Sequence, residues 1–169
     1  ICLMVATAVF AAFSVTPAPD GNALQRPTDT DLEVGARAPA EWDPARVSDA
    51  GSAQILSQIF EGLTVLDRDG VARPALARDW RLEDGGRAIT FRLRDGLAFS
   101  DGSRITGHDV RRSWLRVLDP ERPGPFASLL DDIVGATDLV AGRGGPETVG
   151  ISATDDSVRV EFVRPAAYF

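Results

Sequence analysis

Between residues 88 and 94 the side chains alternate strictly. Ile89, Phe91 and Leu93 fall on one side, Thr90, Arg92 and Arg94 on the other. A period of two is the signature of a half-buried antiparallel strand. Turn formers frame it: Glu83-Asp84-Gly85-Gly86 before, Asp95-Gly96 after. Gly and Asp supply the backbone conformations that tight turns need. A partner strand is expected from 79 to 82. Leu97 and Phe99 lead into a further turn at Ser100-Asp101-Gly102. Near the end, Val158, Val160 and Phe162 alternate against Arg159 and Glu161. This predicts a last hairpin, 149–153 with 158–163, closed around Asp155-Asp156.

Elsewhere the period lengthens to that of a helix. Thr106 followed by Asp109 fits a capping box, and an acid in the first turn suits the helix dipole. Val110, Trp114, Val117 and Leu118 form the apolar stripe, and Pro120 stops the helix. A second helix is expected over 51–61, capped by Ser48 or Asp49. Its apolar face would hold Ile55, Leu56, Ile59, Phe60 and Leu63, with Gly62 as C-cap. A third helical stretch is expected over 128–140, broken near Gly135 and stopped at Gly142. Short strands are expected at 32–37 and 64–67, the latter ending in the turn Asp67-Arg68-Asp69-Gly70.

Residues 1–15 carry no charge. The run is as long as a signal-peptide core and shorter than a typical spanning helix. Because it opens on Ile, the start of the gene product is expected further upstream. Residues 16–30 are rich in Pro, Asp and Thr and read as a disordered linker. A cleaved export signal, an uncleaved membrane anchor and a buried core helix all fit the run. The first is preferred, and the first two place the body outside the cytoplasm. Cys2 is the only cysteine, so no internal disulfide can form. It lies inside the apolar run, the wrong place for a lipoprotein anchor.

Composition is that of a globular domain, 44% apolar and 25% charged over 169 residues, enough to bury roughly 70% of the unfolded surface. The net charge of −7 argues against non-specific binding to nucleic acid or anionic lipid. All 18 cationic residues are Arg, which we read as a coding bias and not as function.

Candidate chemistry is sparse. His108 is the only histidine and stands at a helix start, so a structural role is preferred to catalysis. A zinc site needs more His or Cys than the chain holds. The segment 67–70 resembles the opening of a calcium loop, but Arg78 stands where the twelfth-position Glu belongs. No phosphate loop is present. Asp84, Asp95, Asp101 and Asp155 sit in turns, and Asp131-Asp132 are explained by a helix first turn. Arg111 and Arg112 read as a solvated helix face rather than an anion grip. Trp80 and Trp114 read as core, and Trp42 is unassigned. The residues alone reach an exported α+β module that binds rather than catalyses.

The order of short words along the chain carries more. Phe60-Glu61-Gly62-Leu63 is followed by Pro74-Ala75-Leu76-Ala77 and Trp80. Residues 90–96 and Phe99-Ser100-Asp101-Gly102 come next, then Thr106, Asp109-Val110, Ser113-Trp114, Arg116 and Leu118-Asp119-Pro120. Pro125-Phe126-Ala127-Ser128 and the segment from Val149 to Phe169 continue the pattern. From about Trp42 onward the chain resembles the bacterial family 5 solute-binding proteins, and within them the oligopeptide-binding branch.

The resemblance implies an α+β, mixed α/β fold. It would be the N-terminal part of a two-lobed, type II-like periplasmic-binding-protein fold with a small extra α+β domain. Residues 31–62 would supply a first-lobe strand and helix, and 63–169 the small domain, ending before the second lobe. The implied function is extracytoplasmic binding of oligopeptides for an ABC importer. Its partners would be a peptide and the permease subunits of the inner membrane, with no nucleic acid, no cofactor, no metal and no enzymatic activity, in a monomer. Without the second lobe, peptide should not be held tightly.

Ser48, Asp49 and Ala50 match the family segment that runs along the peptide backbone. Phe126 stands where oligopeptide binders have a Tyr near the ligand, so the aromatic surface is kept and the hydroxyl is lost. Gly107 replaces the usual Ala after Thr106, which reads as a small change. A membrane-anchored sensor on the same fold, or a carboxylate hydrolase, are the competing expectations.

Overall fold

The computed structural model describes residues 38–166 and residue 169. The apolar run, Cys2, the linker and the strand expected at 32–37 lie outside the described residues. The elements in chain order are α1 (Ala50–Leu56), β1 (Thr64–Leu66), β2 (Ala72–Pro74), β3 (Ala77–Glu83), β4 (Ala88–Leu93), α2 (Gly107–Val117), α3 (Ala136–Val140), β5 (Ile151–Ala153) and β6 (Ser157–Glu161). Strands β1 and β2 form a hairpin, and the other four make an antiparallel sheet in the order β3-β4-β6-β5.

The alternation in β4 fixes this sheet. Ile89, Phe91 and Leu93 are all buried. The register sets Leu82 opposite Ile89, Ile89 opposite Val160, and Val160 opposite Ile151. A second row runs Trp80, Phe91, Val158, Ala153. Directly opposed residues share a face, so both rows point to one side. On that side α2 lies across β5 and β6, delivering Trp114 and Leu118 to the core. An aromatic string then crosses the interior. Phe91 meets Trp114 edge-on at 6.4 Å, Trp114 meets Phe169 at 5.9 Å, and Phe169 lies 4.7 Å from Phe162.

The capping box at the start of α2 is present. The Thr106 amide and hydroxyl both donate to Asp109 Oδ2, each at 2.8 Å. Burial pushes the Asp109 carboxyl up, but the Thr106 donors and the Arg112 guanidinium outweigh it and hold it below its ordinary value of 3.8. A carboxyl that is more acidic in the folded chain adds stability above its unfolded pKa. That stability is lost as pH falls through the folded value. Replacing Asp109 by Asn should therefore cost about 1 kcal/mol at neutral pH. It should also flatten the fall of Tm with acid between about pH 5 and pH 2. Parallel Tm profiles for the two proteins would refute the linkage.

Three expectations need correction. The helix expected over 51–61 closes at Leu56. Beyond it the amides of Gln58 and Ile59 bond back three residues, to Ile55 and Leu56. The chain must turn there because the Leu63 carbonyl accepts from both Ala75 and Ala77. Ile59 and Phe60 consequently point outward, and the Gly62 carbonyl accepts from Leu76 instead of ending a helix. Strand β2 went unanticipated: it is three exposed residues ending in Pro74 and has no alternation to read.

The stretch 128–140 is mostly not α-helical. A 3-10 turn covers Ala127–Leu130, and α3 begins only after Gly135, whose φ is 73°. Between them the chain is drawn into the sheet. Ile133 bridges Phe162, and Val134 exchanges bonds with Glu161 and Gly150. Asp132 therefore does not answer a helix dipole: it is buried and ion-paired to Arg164 at 2.7 Å.

Arg111 is the third. Its Nε donates to the Ile151 carbonyl and its Nη2 to the Pro146 carbonyl, both at 2.8 Å. It covers an acceptor on the edge strand β5, where unpaired backbone is a liability. Replacing it by Lys, which lacks the planar fork, should loosen the 146–151 segment. Faster amide exchange there, with Tm lowered by a few degrees, is the expected readout.

Candidate functional site

The four residues singled out for ligand contact lie on two surface loops. Ser48, Asp49 and Ala50 are exposed at the start of α1, and Asp49 is its N-cap. The Asp49 carboxylate accepts from the Ser52 amide at 2.8 Å. That bond, the leading cause, lowers its pKa. The side chain is thus committed to the helix, and so is the Asp49 carbonyl, which accepts from the Ala53 amide at 3.1 Å. Phe126 precedes the 3-10 turn and is 53% exposed.

The structure ties these loops together just behind the candidate residues. A Cβ on Gly124 would come within 2.7 Å of the Ala45 carbonyl oxygen, so only Gly permits this approach. The Arg46 guanidinium donates to the Arg122 carbonyl, and Arg116 of α2 pairs with Asp43. Val47 is buried. The segments carrying Ser48–Ala50 and Phe126 therefore leave one seam, spaced by packed backbone. Among the described residues no hydrogen bond joins Phe126 to Ser48, Asp49 or Ala50.

Sequence reading did not find this seam. Asp43 and Arg116 are 73 positions apart, and no local pattern links them. Trp42, left unassigned, is 57% exposed beside a turn in which Glu41 Oε1 accepts from the amides of Trp42 and Asp43.

Elsewhere the titratable groups serve turns. Asp67 accepts from the amides of Val71 and Asp69 and from Arg73, a turn arrangement and not a calcium loop. His108 is exposed and 3.9 Å from the Asp155 carboxylate. Asp49, Asp67, Asp101, Asp109 and Asp156 all lie below the ordinary value of their carboxyls. A general acid needs the opposite displacement. Among the described residues no cluster of three or more His, Cys, Asp or Glu is placed to hold a metal. No described helix is long and apolar enough to cross a membrane.

The scaffold is mixed helix and sheet, and its fold matches solved periplasmic binding proteins over about four fifths of the chain. The model of the bacterial extracellular solute-binding proteins, family 5 middle region, matches residues 71–169, and the chain belongs to that family. Its members are solute-binding proteins, not enzymes. The chain is 38% identical over 134 residues to the probable deoxycholate-binding periplasmic protein YgiS of Escherichia coli, covering 78% of this chain and 25% of YgiS. It is 33% identical to the periplasmic oligopeptide-binding protein OppA of Salmonella typhimurium, covering 75% and 24%. Its fold matches Listeria monocytogenes OppA bound to peptide with a TM-score of 0.74 at 31% identity, covering 79% of this chain and 27% of that one. The chain thus spans about a quarter of the length of the curated relatives it matches.

Proposed function

We propose that this chain is the N-terminal part of an extracytoplasmic oligopeptide-binding protein that serves an ABC importer. The carrying observation is the family match over residues 71–169, joined to relatives named for oligopeptide binding. In this reading residues 31–62 belong to a first lobe and 63–169 to a small α+β domain beside it. Residues 1–15 direct export, and the protein works as a monomer against inner-membrane permease subunits. The main chain of Ser48, Asp49 and Ala50 runs along the peptide, which gives affinity without reading sequence. Phe126 lays its ring against a ligand side chain. Support for these positions is their exposure and their shared seam.

Cargo is tested on the full-length protein purified from its own cell envelope. Mass spectrometry of the released ligand should find peptides. The 38% identity to a probable deoxycholate-binding protein makes a steroid acid the competing cargo, and finding only such a molecule overturns the peptide reading. Phe126→Ala should weaken binding of the identified peptide about tenfold, near 1.4 kcal/mol. Unchanged affinity removes Phe126 from the site.

A further inference from the structure

The last turn of α2 anchors both candidate ligand loops. On one side the Val117 carbonyl accepts from the Gly124 amide at 2.8 Å, and Phe126 follows Gly124 by two positions. On the other side the Arg116 guanidinium pairs with Asp43, on the segment that leads into Ser48. The Asp43 carboxylate has two duties. Its Oδ2 faces Arg116, while its Oδ1 accepts from the Ala45 amide at 3.0 Å. The Asp43 carbonyl also accepts from the Arg46 amide at 2.9 Å, which closes the turn. The closed turn brings the Ala45 carbonyl to its close approach on Gly124 and the Arg46 guanidinium to the Arg122 carbonyl. Of these three contacts across the seam, only the pair of Asp43 and Arg116 joins opposite charges.

We propose that Asp43 and Arg116 are positioning residues for ligand: their pair sets the distance between the Ser48–Ala50 loop and the Phe126 loop, so that one ligand meets both. This rests on the peptide-binding reading above, in which Asp43 lies in the first lobe and Arg116 in the small domain. Neither residue need touch the ligand. With side chains 27% and 55% exposed, the two form a surface ion pair, and such pairs add little to global stability. Losing the pair should therefore leave Tm nearly unchanged. It should instead lower the share of molecules whose two loops are in place, and apparent affinity falls with that share.

The test titrates the full-length protein with tetra-alanine by calorimetry, because main-chain bonds do not read sequence. Asp43→Asn keeps an oxygen for the Ala45 amide and removes the charge, and Arg116→Gln removes the other charge. Each should weaken binding about three- to fivefold. The double variant should bind no more weakly than either single one, because both act through one pair. Arg116→Lys should restore most of the affinity. Arg112→Gln, which loses a pair confined to its own helix, should bind as the unaltered protein does. In Arg116→Gln without peptide, the amides of Ala45 and Arg46 should exchange faster while those of β4 keep their rates. Additive losses, a loss in Arg116→Gln without one in Asp43→Asn, or an equal loss in Arg112→Gln overturn the proposal. So does unchanged exchange at Ala45 and Arg46. If the unaltered protein fails to bind tetra-alanine, the peptide reading falls, and exchange at Ala45 and Arg46 still decides whether the pair holds the loop.

Discussion

Replacing Trp114 by Ala should remove about 3–5 kcal/mol of stability, the range for a fully buried aromatic. Trp114 is 2% exposed and stands at the middle of the aromatic string, edge-on to both Phe91 and Phe169. Each such pair adds about 0.5–1.5 kcal/mol beyond the area it buries. The indole also joins α2 to the sheet, so the cavity left by Ala would open the main interface of the fold. A native domain holds only about 5–15 kcal/mol in total, so the loss is a large fraction. In Tm it corresponds to a fall of about 10–15 °C for a chain of this size. Trp114→Phe keeps one ring and should lose less than half as much. Thermal unfolding of the two variants side by side checks this. Equal, small losses would mean that α2 is held by its polar bonds rather than by its apolar stripe.

That stripe was legible because it is local. Val110, Trp114, Val117 and Leu118 repeat at helical spacing, and Thr106 with Asp109 marks the start within three residues. Strand β4 was legible for the same reason, since its three inward residues alternate without interruption. What stayed hidden depends on groups distant in sequence. Arg111 looks like any helix-surface cation until β5, 40 positions later, presents it with a carbonyl. Asp132 reads as an acid at a helix start until Arg164, 32 positions on, pairs with it. The stretch 128–140 has helical composition, but the bridge from Ile133 to Phe162 draws its middle into the sheet.

The candidate site was legible only through the resemblance. Neither the exposure of Ser48–Ala50 nor that of Phe126 is distinctive in itself. The physical link between their loops, Gly124 against Ala45, rests on a missing Cβ that composition cannot show. Scaffold and contact loops also differ in kind. The residues that identify the family fold are turns and core, whereas those proposed to meet ligand are surface main chain and one exposed ring.

Gly107→Ala should destabilise the fold by about 2–3 kcal/mol, toward the upper end of the cost of overpacking, although the resemblance implies Ala as the usual residue there. By side-chain volume this is a small change, and no local pattern of residues suggests otherwise. The structure reverses that expectation. Gly107 is buried at the first turn of α2. A Cβ there would lie 2.2 Å from the Ser157 carbonyl oxygen and 2.5 Å from that of Thr154. Both contacts are backbone, so no flexible side chain can swing aside. The Gly107 amide also donates to the Asp155 carbonyl at 3.2 Å, which holds the 154–157 turn against the helix start. Ala would push that turn away, lengthen this bond and shift β6 from β4. Gly51→Ala is the control: it is exposed within α1, its nearest contact to an added Cβ is 3.4 Å, and it should gain about 0.5–1 kcal/mol from helix propensity. Opposite signs in urea unfolding for these two substitutions are the expected result. A neutral Gly107→Ala would mean that the turn can retreat at little cost, and that Gly107 is not what sets the distance between α2 and the last hairpin.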